Sequence, residues 1–240
     1  MPACEKNYSM PDRLIITEDN QLKEVSIPET PQQPLLIQWL AKFISYVFHP
    51  LFIPVYLTYF ILTVRSYQFP GITEKDRFFN LLLVIVSYSF VPLMCVLLLR
   101  ALNFIDSILL KTQKDRIIPY IICMTFYFSV WYYYKKNHFV DDLQSMSMAV
   151  FNASVFGFLV NIIMKVSMHA IAMGVMCTFI ALLAFTDSSS FSLYLAITVL
   201  IAGIVCTSRL MVSDHTQKEI YYGFMIGVFS QLAAHYFVNS

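Results

Sequence analysis

The stretch IIPYIICMTFYFSVWYYYKK, Ile117–Lys136, carries no charge until its last two residues. A helix needs about 20 apolar residues to cross the hydrocarbon of a bilayer. This run closes on Trp131, Tyr132, Tyr133, Tyr134, Lys135 and Lys136, the aromatic and basic residue types that settle where membrane meets water. Ile117–Tyr134 is therefore read as a membrane span, and similar runs lie on either side of it. Upstream, Leu51–Val64 and Phe78–Leu99 read as spans, the second kinked at Pro92. Downstream, spans are expected over Met146–Met164, from His169 to Phe185, over Phe191–Thr207 and over Ile220–Val238. Leu35–Phe48 reads as an interfacial or half-buried helix that ends at His49-Pro50. With 58% hydrophobic and only 13% charged residues, the chain lies far from the soluble norm of about 25% charged. The expected fold is all-α: a polytopic membrane helix bundle of about six core transmembrane helices plus an N-terminal interfacial or additional helix.

Residues 1–34 are polar and mixed in charge, without the basic start and apolar core of a cleavable signal. They are expected to form a flexible tail before a single membrane domain over 35–240. A net charge of +1 points to no partner class, and nothing in the composition suggests nucleic acid. The five cysteines are far apart and show no metal-ligand spacing, so they read as packing residues.

If each span crosses once, three polar clusters emerge on the same membrane face: Lys111–Arg116, Lys165–His169 and Ser208–Glu219. Ionisable groups beside a membrane span are costly and mark functional sites by default. Arg116, Arg209 and Lys111 suit an anion with spread charge, because guanidinium meets phosphate oxygens two at a time. Ser167 and His169 open the fifth span, where free N–H groups and the helix dipole favour phosphate. If His215 and Glu219 share one helix, their four-residue spacing lets them touch. A carboxylate holding one imidazole nitrogen leaves the other free as nucleophile, and a second histidine, His169, can serve as acid. That is equipment for phosphoryl transfer to histidine followed by hydrolysis.

These residues resemble the type 2 phosphatidic acid phosphatase superfamily, membrane relatives of vanadium haloperoxidases. Its third motif, Ser-Arg, five residues, His, three residues, Asp, is similar to Ser208-Arg209, His215 and Glu219. Its second, Pro-Ser-Gly-His, is met in part by Val166-Ser167-Met168-His169. Its first, Lys, six residues, Arg-Pro, is echoed by Lys111, Arg116 and Pro119. The departures are Met168 in place of glycine, Glu219 in place of aspartate, and Lys111 five residues before Arg116 instead of seven, with Lys114 as a competing lysine.

The resemblance implies that His215 is a nucleophile forming phosphohistidine and that Glu219 orients it. His169 would protonate the leaving group and later activate water. Arg209, Arg116 and Lys111 would bind phosphate oxygens, with Ser167 adding a hydrogen bond and Ser208 a further phosphate-binding residue. The implied activity is hydrolysis of a lipid phosphate or diphosphate with no metal and no cofactor. The implied setting is a bacterial inner membrane, the lipid bilayer itself supplying the substrate. The alternative is a catalytically silent protein of the same fold that binds or moves a lipid phosphate. Of the remaining residues, His49 reads as part of a helix break, His138 and His235 as interfacial, Asp106 as a cap or loop charge, and Asn152 and Asn161 as interhelical hydrogen-bonding groups.

Overall fold

The computed structural model describes residues 13–16, 22–25, 34–105, 108, 113–186, 191–212 and 215–240. The chain divides into two units, Met1–Leu35 and Leu36–Ser240. In the first, β1 (Arg13–Ile16) and β2 (Leu22–Val25) pair antiparallel, with Arg13 opposite Val25 and Ile16 opposite Leu22. At four residues each, these strands are too short for apolar alternation to announce them.

The second unit is an all-α helix bundle. Its helices are α1 (Leu35–Val47), α2 (Ile53–Val64), α3 (Glu74–Val84), α4 (Val91–Ala101), α5 (Gln113–Lys136), α6 (Asp141–Ile163), α7 (Met168–Thr186), α8 (Ser192–Val212) and α9 (Gln217–Asn239). Among the described residues, five helical segments are long and apolar enough to cross a bilayer: Glu74–Ala101, Asp115–Lys136, α6, α7 and α8. The chain is a multi-pass membrane protein.

The Glu74–Ala101 segment starts four residues before the expected span, for a local reason. Thr73 Oγ1 accepts from the Asp76 N–H while Asp76 Oδ2 accepts from the Thr73 N–H, a reciprocal capping box that extends the helix into its polar turn. Within the segment, a π turn over Ile85–Phe90 joins α3 to α4 just before Pro92. Proline lacks an N–H and crowds the carbonyl four residues back, and the wider turn takes up that mismatch.

Two expected spans fall outside these five. α2 has 12 residues, about 18 Å at 1.5 Å per residue, and falls short of the roughly 30 Å hydrocarbon. α9 has the length, with 23 residues, but is more polar than the five. It packs along α6 and α7, burying Gly223, Gly227, Ser230, Gln231 and Ala234, and leaves Tyr221, Met225, Phe229 and Tyr236 exposed on its other side.

α7 is the most enclosed of the five segments and packs against α9, α8, α6 and α2. Lipid is as apolar as leucine, so association here depends on close contact and buried hydrogen bonds. Glycine provides the contact. A Cβ on Gly174 would sit 2.2 Å from the Phe224 carbonyl oxygen, and one on Gly227 would sit 2.1 Å from that of Ile171. Gln231 Nε2 donates to Ser145 Oγ at 3.0 Å, joining α9 to α6. α1 is different: Leu36, Trp39, Phe43 and Tyr46 form an exposed apolar stripe, while Ala41 and Ser45 turn inward. Such a helix is solvated by lipid.

Candidate active site

α9 begins at a cap that also builds the site. Thr216 Oγ1 accepts from the Glu219 N–H at 3.4 Å. In a full capping box the third residue would return its side chain to the cap's own N–H. Glu219 sends its carboxylate to His215 instead, with Oε2 2.6 Å from Nδ1. His215 therefore precedes the cap, off the helix that carries Glu219, and the pair meets across the helix start. A carboxylate only accepts, so neutral His215 donates Nδ1–H and keeps its lone pair on Nε2. Burial lowers the pKa of His215; the bond to Glu219 opposes this, and Lys165, Arg116 and Arg209 reinforce it.

The Lys165–His169 turn lies against this cap. The Ser167 N–H donates to the Glu219 carbonyl at 3.3 Å. Ser167 is buried, and its Oγ accepts from the Ala170 N–H at 3.4 Å, as an N-cap does for α7. Arg116, in the first turn of α5, donates from Nη1 to the Val166 carbonyl at 2.8 Å and fixes the same turn from the other side. His169 is buried, in electrostatic reach of both Arg209 and His215. Its Nε2 faces the Ser45 carbonyl at 3.1 Å. A carbonyl can only accept, so Nε2 carries the hydrogen and Nδ1 is left for proton exchange.

His215, Glu219, His169, Ser167, Arg116 and Arg209 thus gather at one end of the bundle, three clusters from distant parts of the chain. Ser208 is placed differently. Its hydroxyl donates to the Ile204 carbonyl of its own helix at 2.8 Å, and it lines a groove between α1 and α8. Lys111 and Asp106 lie outside the described residues, as does the side chain of Lys114. Met168 is half-buried at the start of α7, between buried Ser167 and buried His169.

The structure adds His49, which the sequence reading left as a helix break, and Ser45, which it left inside the interfacial helix Leu35–Phe48. The rings of His49 and His169 meet edge to face, with centroids 5.3 Å apart. Burial first, and Arg209 second, push the pKa of His49 down to about 4. A signal was present: the same parity that gathers the three clusters puts the start of α2, and so His49, on their face. Elsewhere, the groove between α1 and α8 has a volume of about 420 Å³ and is lined by Ile37, Leu40, Ile44, Gly203, Ile204 and Ser208 among others. A larger groove of about 750 Å³, between Asp76, Asn80, Tyr133 and Phe139, lies at the opposite helix ends and touches none of the site residues.

No family model, curated protein or solved structure matches the chain.

Proposed function

We propose that this protein is an integral membrane phosphatase that hydrolyses a lipid phosphate or diphosphate through a phosphohistidine. The observation that carries the reading is the His215–Glu219 contact of 2.6 Å, which leaves Nε2 as a lone-pair donor among Arg116, Lys165 and Arg209. Nε2 attacks phosphorus and the bond to the leaving oxygen breaks, with protonated His169 giving that oxygen its proton. His169 then takes a proton from water, the water oxygen attacks phosphorus, and the P–N bond breaks to return His215. Arg116 and Arg209 hold the charge that accumulates on the phosphoryl oxygens. The apolar groove between α1 and α8 ends beside Ser208 and Arg209, which suits a substrate whose tail stays in lipid while its head enters the site. The resemblance brings with it a bacterial inner membrane.

A second reading is favoured by Met168, which stands where the resembling family has a glycine that lets phosphate approach the backbone. On that reading the protein binds a lipid phosphate without turning it over. The test is phosphate release by the purified full-length protein in detergent with EDTA, from phosphatidate, phosphatidylglycerol phosphate and an undecaprenyl diphosphate. Release that disappears in His215→Ala is the expected result. Folded protein that binds these lipids but releases nothing overturns the phosphatase reading in favour of the silent binder.

A further inference from the structure

The elbow between α1 and α2 supplies two groups to the site. Ser45, in the last turn of α1, holds His169 through its carbonyl. His49 follows on the elbow and lies edge to face with the same imidazole. The elbow is fixed on several sides. The Phe52 N–H donates to the His49 carbonyl at 2.8 Å. Leu51 is gripped at both ends of its peptide: its N–H donates to His49 Nδ1 at 3.3 Å, and its carbonyl accepts from Ser89 Oγ at 2.7 Å. Ser89 belongs to the π turn before Pro92, so that irregularity sets the ring orientation of a residue on another helix pair.

The Leu51 contact also fixes the tautomer. An Nδ1 that accepts a backbone N–H has no hydrogen of its own, so neutral His49 carries its hydrogen on Nε2. Among the described residues no group accepts from that N–H. It is a donor beside His169 and Arg209, in a pocket whose other members are arranged for an anion.

We propose that His49 is a phosphate-binding residue of this site, donating Nε2–H to an oxygen of the phosphoryl group alongside Arg209. The proposal rests on the phosphoryl-transfer reading and extends it to a residue in none of the three motifs. The charged and titratable groups facing His49 are Arg209 on α8 and His169 on α7. Burial first, and Arg209 second, favour its neutral form, so it acts as a neutral donor throughout the working pH range. Proton transfer is left to His169. A neutral donor also avoids adding a further cation to a pocket that already holds Arg116, Arg209 and Lys165.

The test uses full-length protein in detergent, as wild type, His49→Ala and His49→Gln. Losing one hydrogen bond to a charged group raises KM and the inhibitory constant of orthovanadate about 10- to 100-fold. His49→Ala is expected to show that rise with both limbs of the pH–rate profile unmoved, and His49→Gln, which keeps a side-chain N–H, to recover most of it. Unchanged vanadate inhibition in His49→Ala overturns the proposal, and so does a displaced pH limb, which would make His49 the acid or base. A second measurement needs no variant: diethyl pyrocarbonate labelling of wild type, mapped by mass spectrometry, with and without vanadate. Vanadate is expected to protect His49, and equal labelling in both conditions overturns the proposal. Turnover without protection removes the role of His49 and leaves the phosphatase standing. Protection without turnover keeps His49 as a phosphate ligand and removes the phosphatase. Neither turnover nor protection removes both.

Discussion

Gly227→Ala tests how tightly the site depends on the contact between α7 and α9. The added methyl would lie 2.1 Å from the Ile171 carbonyl oxygen, 2.8 Å from the Val175 nitrogen and 2.9 Å from the Gly174 Cα. All three are backbone atoms, so no side chain can rotate away. Ordinary contact needs about 3.5 Å, which obliges the helices to part by more than about 1 Å. Forced overpacking of this kind costs about 1–3 kcal/mol. For a chain of this size that is a fall in Tm of about 3–10 °C. The same separation pulls Glu219 on α9 away from Ser167 at the start of α7, and a misplacement of about 1 Å lowers turnover on the order of 100-fold. The assay is thermal unfolding in detergent together with phosphate release, with Gly203→Ala as comparison. A Cβ at Gly203 meets nothing within 4 Å, and alanine there gains about 0.5–1 kcal/mol of helix preference. A Gly227→Ala protein that melts within about 1 °C of wild type and keeps its turnover refutes the reasoning.

Glu219→Gln keeps an oxygen that can accept from His215 but removes the charge that supports a developing imidazolium. Turnover is expected to fall on the order of 10²- to 10⁴-fold while lipid binding persists, measured as kcat against KM. The pH dependence of stability follows from His49. Its pKa is about 4 in the folded protein against an ordinary 6.5, so the unfolded chain takes up the proton first. Stability is full above about 6.5 and is lost as the pH falls from there toward 4. His215 is lowered in the same direction. His49→Gln is expected to flatten that slope in melting curves taken from pH 7 to pH 4.

Much of the bundle was legible because lipid imposes a strict requirement: a spanning segment must be long, apolar and helical. Ile117–Lys136 meets it openly, as do α6, α7 and α8. α2 is short by itself, yet the elbow before it and Arg65 after it carry the chain from His49 beside His169 to Asp142 at the other helix ends. α9 is lowered in hydropathy by the small and polar residues it buries against α6 and α7, while Met225, Phe229 and Tyr236 stay exposed. The site was legible in its three clusters because parity alone put them on one face. His49 was obscured because a histidine before a proline has an ordinary use in ending a helix. Only the fold shows that Ser45 holds His169 while Leu51, fixed in turn by Ser89 of the π turn, holds the His49 ring beside it.

The charges of the site bear on the proposed reading. Arg116 and Arg209 lie in electrostatic reach of each other, and both act on His215, as does Lys165. Glu219 and Asp115 lie in attractive reach of Arg116, and Glu219 also holds His215, so the cations belong to a mixed cluster of charges. A phosphate between the two guanidinium groups would convert their repulsion into two attractions. The depressed histidines fit the same account. Burial first, and the neighbouring cations second, favour neutral His49 and His215. On the proposed reading one would serve as donor and the other as nucleophile, with the cations binding the substrate.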